Sequence, residues 1–414
     1  MYKIKKFDSG LRLIYHNVPY AKSVAAGIFI KSGSVFEEGC FHGISHFIEH
    51  MLFKGTQNRT ALDIATLSEL TGGRLNAYTD RECTCVYTRT LPEDLDISLD
   101  LMSDMVLNSL FDEESMRTEK NVVLEEIKMY EDNPEELAHD ILAEITYPTH
   151  PIGKPIIGTA ASVEAFTPLL IQEYMKKRYC GNNIVVSVSG KFDESALTEK
   201  IEKLFENVAF CENQPTVEMA TFTCGATVRK KQVEQAHIAL AFEGYPSGSD
   251  EKYALNLVSN IFGGSTNSRL FQQIREKLGL AYSVYSCPNI FTTASYTAVY
   301  AACGAENLEL VRDLLLEESN NLYNNGITEK ELEFAKKQFA CSFVLSAENC
   351  GSIMSSAGRQ LLLLDCVKTD DEILNKIKSV DIYAANRAAK LFNPDKISSA
   401  VITPQAEIGH PAKN

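Results

Sequence analysis

The order of strands and helices predicted for the first half of the chain recurs in the second half. In the first half, apolar alternation predicts strands at residues 11–16, 23–31, 74–79, 83–90 and 184–189. Helical periodicity fills most of the intervals, at residues 43–53, 61–70, 93–107, 112–130, 166–177 and 194–205. The second half gives strands at residues 237–242, 281–286 and 295–302, and helices at residues 253–262, 268–277 and 307–320. This order predicts an α+β fold of two homologous α/β-sandwich domains, each a mostly antiparallel sheet with helices on one face.

The two halves are separated by a stretch without a clear hydrophobic period. Residues 211–222 follow neither the helical nor the strand pattern and contain Pro215, which is typical of a linker. A chain of 414 residues is also long for a single hydrophobic core. We therefore expect an amino-terminal domain at residues 1–210, a linker at residues 211–222 and a carboxy-terminal domain at residues 223–414.

The predicted helix at residues 43–53 has two chemically different faces. Its apolar stripe must be buried and consists of Ile44, Phe47, Ile48, Met51 and Leu52. On the opposite side, His46, Glu49 and His50 lie within about 100° of arc. Two imidazoles one turn apart can bind one metal ion, and the carboxylate can reach a water molecule at that ion. The order H-x-x-E-H therefore predicts a metal site, and the alternative is a solvated helix face.

The corresponding helix of the second half, at residues 253–262, contains neither His nor Glu. Only the first half can therefore hold the metal, and a third ligand has to come from another element.

The helix at residues 112–130 offers two carboxylates for that position. Glu119 and Glu126 lie within or beside its apolar stripe, whereas Glu125 lies on the polar side. A carboxylate buried without a partner costs several kcal/mol, so each of the two needs a cation or donors. Glu126 would complete a His, His, Glu ligand set, and Glu119 would orient a ligand histidine or bind the amine end of a substrate. The alternative is that both carboxylates meet Lys or Arg on a neighbouring helix.

Composition excludes several classes of protein. The net charge of −15 argues against nucleic acid as a partner. No apolar run is long enough to cross a membrane, and the amino-terminal residues lack the apolar region of an export signal. The 11 cysteines contain no C-x-x-C pair, which favours free, buried thiols in a reducing cytosol over a disulfide scaffold.

Five stretches resemble one known family. Residues 43–56, 73–79, 119–127, 147–159 and 271–286 are similar to the pitrilysin/insulinase zinc metallopeptidases, the inverzincins, and especially to the branch of the mitochondrial processing peptidase beta subunit and its bacterial homologues. The similarity runs essentially from end to end. It implies one Zn²⁺ per chain, bound by His46, His50 and Glu126.

The resemblance also implies roles for other residues. Glu49 would act as the general base and Glu119 would support the metal ligands. Arg275 and Tyr282, seven residues apart in the second half, would reach the active site, with Tyr282 donating to the oxyanion. Without the resemblance, Arg275 would be interpreted as a solvated helix residue and Tyr282 as a half-buried core residue.

The strand around Leu75, Asn76 and Ala77 would receive the substrate as an added β-strand, so that main-chain hydrogen bonds provide most of the binding. The alternative for Asn76 is an ordinary turn or edge-strand residue.

In this family two half-shells enclose the active site, and one chain of this length supplies one shell. We therefore expect a homodimeric metalloendopeptidase of the bacterial cytoplasm that hydrolyses unfolded peptides inside the chamber, with no membrane partner. The main alternative is a non-catalytic zinc-binding subunit or peptide-binding partner of an active homologue. All five positions of the motif set are present, which favours the enzyme.

Overall fold

The computed structural model describes residues 2–39, 41–72, 74–212 and 216–405. The strands of the amino-terminal half are β1 (Lys3–Lys6), β2 (Arg12–Asn17), β3 (Val24–Ile30), β4 (Asn76–Thr79), β5 (Thr84–Thr90) and β6 (Ile184–Gly190). Its helices are α1 (Ile44–Met51), α2 (Ala61–Leu70), α3 (Leu95–Asn108), α4 (Glu113–Asp132), α5 (Pro134–Thr146), α6 (Ala160–Ala165), α7 (Pro168–Arg178) and α8 (Glu194–Leu204).

The carboxy-terminal half follows the same plan with additional helices. Its strands are β7 (Ala226–Lys230), β8 (Ala236–Glu243), β9 (Ala281–Ile290), β10 (Ser295–Cys303) and β11 (Ser398–Thr403). Its α-helices are α9 (Glu251–Phe262), α10 (Leu308–Asn325), α11 (Glu329–Ser346), α12 (Cys350–Leu364), α13 (Asp370–Ser379) and α14 (Ile382–Ala389). Part of the helix predicted at residues 268–277 is a π-helix, Phe271–Lys277.

The chain forms two compact units, and neither is contiguous in sequence. Unit 1 contains the described residues of 1–127, 155–217 and 343–370, and unit 2 contains those of 128–154, 218–342 and 371–414. The predicted boundaries place residues 128–154 in the amino-terminal domain and residues 343–370 in the carboxy-terminal domain, whereas the structure assigns them to unit 2 and unit 1, respectively. The difference arises because a single boundary along the sequence cannot describe an exchange of segments between the two halves. Within the predicted linker, residues 213–215 lie outside the described part of the chain.

The sheet of unit 1 has six strands in the order β1-β2-β6-β3-β5-β4. β2 and β6 run parallel, the other neighbours are antiparallel, and β4 is an edge strand. The side chains of β3 alternate between two cores, as the period of a strand requires. Ile28 lies in the core that contains Phe47 of α1, whereas Phe29 packs with Met354 of α12 on the opposite face.

The sheet of unit 2 has five strands in the order β7-β11-β8-β10-β9. Only β7 and β11 run parallel. Ile238 of β8 lies in the main core with Leu255 of α9. On the opposite face, the ring of His139 from α5 stacks on Tyr300 of β10 with centroids 5.5 Å apart.

The predicted fold class is confirmed, with one addition. Each unit is a mostly antiparallel sheet with helices, but each sheet also carries a helix on its second face, α12 in unit 1 and α5 in unit 2. The expectation of free buried thiols is wrong for one pair, since Cys180 and Cys211 form a disulfide. It is also wrong for four free cysteines that are exposed, Cys224, Cys287, Cys341 and Cys366. In the described part of the chain, no helix is long and apolar enough to cross a membrane.

Candidate metal centre and active site

The packing of α1 fixes which of its side chains face the site. Phe47, Ile48 and Met51 are fully buried in the core of unit 1, so the histidine face of the helix points away from that core. Gly43 precedes the helix as its N-cap, and its φ of +89° is the left-handed conformation that glycine adopts without strain. A Cβ at Gly43 would lie 2.5 Å from the carbonyl oxygen of Ile157, so the close approach of these two segments also requires glycine.

A buried carboxylate that the sequence analysis did not identify holds the start of α1. Glu37 is 2% exposed and accepts hydrogen bonds from the backbone N–H groups of Gly43 at 2.7 Å and Ser45 at 2.9 Å. These donors have no partner within the helix, and a negative charge there also interacts favourably with the helix dipole. Because Glu37 is followed by Glu38, the sequence alone gives no signal that separates the two acids.

His46, His50 and Glu126 converge on one point. Each offers a ligand atom, and these three atoms lie within 4.8 Å of one another. The Nε2 atom of His50 lies 3.3 Å from Oε2 of Glu126, and Nε2 of His46 lies 3.9 Å from Oε1 of the same carboxylate. In the described part of the chain, this is the only such group of three or more His, Cys, Asp or Glu residues. Two imidazole nitrogens and one carboxylate oxygen are a donor set that fits Zn²⁺ and leaves a fourth position open.

Glu119 lies next to this group and contacts His50. Its Oε1 atom is 2.8 Å from Nδ1 of His50, and its Oε2 atom is 2.5 Å from Nζ of Lys54. Glu119 is 3% exposed, so these two contacts stabilise an otherwise costly buried carboxylate. The contact of Glu119 with His50 matches the predicted orientation of a candidate ligand histidine. The alternative is matched only in part: Glu119 pairs with Lys54, which follows the end of α1, whereas Glu126 contacts the two histidines.

The charges around the site shift the pKa values of its groups in different directions. Burial and the neighbouring His50 lower the pKa of His46 to about 4. Burial also opposes protonation of His50, but hydrogen bonds to Glu119 and Glu126 prevail and raise its pKa to about 9. The hydrogen bond with His50 lowers the pKa of Glu126. Without a metal ion, the site therefore holds one proton on His50 that a cation would replace.

Glu49 lies on α1 between the two histidines, as the motif requires. Burial raises the pKa of its carboxyl group, and a hydrogen bond from Thr79 opposes this shift. Thr79 is the last residue of β4, and its Oγ1 atom lies 3.5 Å from the carbonyl oxygen of Ser45 in α1. The end of β4 therefore contacts the motif helix directly.

The residues predicted to bind the substrate backbone lie at the free edge of the sheet. Asn76 and Ala77 open β4, which pairs with β5 on one side only, and Leu75 precedes the strand. Asn76 is exposed, and its Oδ1 atom accepts a hydrogen bond from the N–H of Ala77 at 2.9 Å. An edge strand is the structure to which an extended peptide can add. Gly73, the first residue of the stretch 73–79, lies outside the described residues.

Arg275 and Tyr282 contact each other within unit 2. The guanidinium carbon of Arg275, in the π-helix, lies 4.7 Å from the ring centroid of Tyr282 and 4.7 Å from that of Phe271. Tyr282 is 76% exposed, which does not fit the alternative that it is a core residue. π-Helical turns occur frequently at functional sites.

Comparison with known proteins places the chain in a family. Residues 12–160 match the family model described as "Insulinase (Peptidase family M16)", and residues 165–339 match the one described as "Peptidase M16 inactive domain". The chain is 39% identical to the "Uncharacterized zinc protease YmxG" of Bacillus subtilis, over 98% of this chain and 99% of that protein. It is 35% identical to an "Uncharacterized zinc protease" of Rickettsia felis, over 97% and 98% of the two chains.

Two solved structures have the same fold. The structure of a "peptidase M16 inactive domain" from Pseudomonas fluorescens has a TM-score of 0.91 at 20% identity, covering 98% of both chains. That of a "protease from Helicobacter pylori" has a TM-score of 0.90 at 20% identity, covering 98% of this chain and 99% of the other. The two family models and the 39% identical relative show that the protein belongs to the insulinase family, peptidase family M16, which confirms the resemblance found in the sequence.

Proposed function

We propose that this protein is a zinc-dependent endopeptidase that hydrolyses unfolded peptides inside a chamber formed by two copies of the chain. The observation that carries the proposal is the convergence of Glu126 from α4 with His46 and His50 from α1 within 4.8 Å, next to Glu49 of the same helix α1. Relatives named zinc proteases that align over nearly the whole chain support it. So does the orientation of His50 by Glu119, an arrangement typical of histidines that bind a metal.

His46, His50 and Glu126 would hold the zinc ion, and Glu119 would fix the ring of His50 through its Nδ1 atom. Zinc bound there would supply Lewis acidity to the attacking water and to the scissile carbonyl. The carboxylate of Glu49 would take the proton from the attacking water and give it to the nitrogen of the leaving amine. Because burial raises the pKa of Glu49, its carboxyl group is suited to both accepting and donating that proton.

Substrate would bind along β4 as an additional strand, with Leu75, Asn76 and Ala77 at the contact. The hydrogen bond from Ala77 N–H to Asn76 would be exchanged for one to the substrate backbone. Since such bonds are made by any peptide backbone, this mode of binding favours broad sequence acceptance and requires an extended, unfolded substrate.

The second copy would complete the site. In this proposal Tyr282 of one chain donates a hydrogen bond to the oxyanion formed at the zinc site of the other, and Arg275 positions that tyrosine or holds the substrate. The exposure of Tyr282 and its stacking beneath Arg275 support a role for the pair outside the core of unit 2.

A location in the bacterial cytoplasm stays a prediction. The relatives reported above come from bacteria, which supports it. The disulfide between Cys180 and Cys211 weighs against it, because such bonds are uncommon in reducing compartments.

The test is cleavage of an internally quenched peptide of about twenty residues by the wild type and by Glu49→Gln, with bound zinc measured in both. We expect the wild type to cleave, and Glu49→Gln to keep its zinc and lose at least about 100-fold in kcat, as for removal of a general base. If both proteins bind zinc and neither cleaves, the non-catalytic subunit is the better assignment.

A further inference from the structure

The turn between β4 and β5 is held by a network that has no part in metal binding. The Oδ1 atom of Asp80 accepts hydrogen bonds from the N–H groups of Glu82 and Cys83, both at 2.7 Å. The N–H of Asp80 in turn donates to the carbonyl oxygen of Cys83 at 2.9 Å. The side chain of Asp80 therefore closes the turn from within, through one of its two oxygens.

The other oxygen of Asp80 binds an arginine that lies nearly 280 residues later in the chain. Nη1 of Arg359, on α12, donates to Oδ2 of Asp80 and lies 3.3 Å from Sγ of Cys83. Nη2 of the same guanidinium lies 3.5 Å from Oε2 of Glu82. Glu82 and Cys83 are buried, 1% and 0% exposed, so this part of the contact is shielded from solvent.

On its other side the turn contacts the segment at residues 33–35 through backbone atoms. The N–H of Val35 donates to the carbonyl oxygen of Arg81 at 2.8 Å, and a Cβ at Gly33 would lie 2.5 Å from the carbonyl oxygen of Asp80. The turn is therefore contacted from two sides, by Arg359 of α12 and by the segment at residues 33–35.

Movement of this turn would displace the end of β4 that contacts α1, the helix of the proposed active site. Asp80 directly follows Thr79, whose Oγ1 atom lies 3.5 Å from the carbonyl oxygen of Ser45 in α1, the helix that carries Glu49. β4 has only four residues and pairs with β5 alone, so its position depends on how its ends are held.

We infer that Arg359 is a positioning residue, which holds β4 in the register that the substrate strand requires. This inference rests on the proposed function, since it takes β4 to be the substrate-binding strand. The inference assigns α12 a role in substrate binding besides covering the second face of the sheet. This helix lies late in the sequence but belongs to unit 1.

The chain offers a matched control in Arg12, which contacts the carboxy-terminal end of α12 from a different strand. Arg12, on β2, donates to the carbonyl oxygen of Leu361 at 3.0 Å, to the carboxylate of Asp365 and to the carbonyl oxygen of Asn182 at 3.1 Å. Three strands separate β2 from β4 in the sheet. Arg12→Ala therefore weakens the docking of α12 without touching the turn.

The experiment compares wild type, Arg359→Ala, Arg359→Lys and Arg12→Ala in cleavage of the quenched peptide, with bound zinc and amide hydrogen exchange at β4 measured in each. For Arg359→Ala we expect KM to rise about tenfold with kcat changed less than about threefold, because an interaction common to ground and transition states is lost. Zinc content should stay at the wild-type level, and exchange at β4 should become faster. Arg359→Lys should give a smaller rise in KM than Arg359→Ala, since lysine keeps the positive charge but lacks the planar guanidinium that reaches several acceptors at once. Arg12→Ala should leave KM and hydrogen exchange at β4 unchanged.

An equal rise of KM in Arg12→Ala would overturn the inference, because the effect would then come from docking of α12 in general. Unchanged exchange at β4 in Arg359→Ala, or a loss confined to kcat, would overturn it as well. If the wild type cleaves no peptide, the proposed function fails, and the exchange comparison by itself still decides whether Arg359 holds β4.

Discussion

At the scale of single residues, the site depends on a buried carboxylate that serves two partners. Glu119 contacts His50 through one oxygen and Lys54 through the other, and it is almost completely buried. Lys54 keeps this carboxylate ionised and fixed, so that it can hold the ring of His50 in one orientation. Lys54 follows the motif helix, and no local pattern indicates that it meets a residue 65 positions away.

We predict that Lys54→Met lowers the affinity for zinc by about tenfold, the range found when a residue that supports a metal ligand is removed. The measurement is competition for zinc with a chromophoric chelator at neutral pH. Lys54→Arg keeps the charge and should retain most of the affinity. Equal affinities for Lys54→Met and the wild type would show that Glu119 orients His50 without help from Lys54.

The stability of the metal-free protein should depend on pH through His50. Its pKa is raised from the ordinary 6.5 to about 9 in the folded protein, so its proton stabilises the folded state. This contribution is complete below about pH 6.5 and is lost as the pH rises through about 9, with a magnitude on the order of 3 kcal/mol. We therefore expect His50→Gln to destabilise the chelator-treated protein at about pH 6 and to have a much smaller effect at about pH 10.

The measurement is urea unfolding of both proteins in the presence of a chelator at the two pH values. Taking the difference between wild type and His50→Gln removes the titration of groups that both proteins share. A difference that is the same at both pH values would contradict the assignment of the proton to His50.

At the scale of the element, α1 obtains its amino-terminal cap from outside the helix. The residue that precedes it, Gly43, has no side chain to accept the first N–H groups, and Glu37 accepts two of them instead. The glycine is needed for its positive φ and for the close approach of Ile157, so the capping group has to come from a neighbouring segment. Correct placement of the histidine face therefore depends on Glu37.

We predict that Glu37→Ala lowers the free energy of unfolding by about 1–2 kcal/mol, the usual cost of removing a helix cap, and weakens zinc binding as α1 loses order. The measurement is urea unfolding together with a zinc titration. Glu38→Ala is the matched control, because Glu38 is exposed and adjacent, and it should differ from the wild type by less than about 0.5 kcal/mol. Equal effects of the two substitutions would mean that loss of charge, not loss of the cap, is responsible.

At the scale of the whole molecule, the proposal assigns the two parts of each active site to different chains. Glu49 would come from one copy, and Tyr282 from the other. Two inactive variants that each lack one part should therefore complement each other in a mixed dimer.

We predict that Glu49→Gln and Tyr282→Phe, each nearly inactive alone, recover activity when they are dissociated and reassociated together. Random pairing should give roughly a quarter of the wild-type activity, because half of the dimers are mixed and each of these has one complete site of two. The measurement is peptide cleavage by the mixture, with sedimentation to establish the dimer. Activity that does not exceed the average of the two variants would place Glu49 and Tyr282 of the same chain at one site.

The sequence by itself determined the features that depend on local periodicity. The two faces of α1 follow from the spacing of its apolar residues, and this spacing alone groups His46, Glu49 and His50. The phase of α4 also separates Glu126 from Glu125, and the structure places Glu126 beside the two histidines. Alternating residues likewise identified most of the strands that form the two sheets.

Only the tertiary structure decided which elements share a core and which distant residues meet. The exchange of α5 and α12 between the two halves, the cap from Glu37 and the contacts of Lys54 and Arg359 have no local signature. The physical reason is that hydrophobic periodicity indicates which side of an element is buried but not which other element it packs against. A buried charge is placed by partners up to hundreds of residues away in sequence, and only the folded chain brings those partners together.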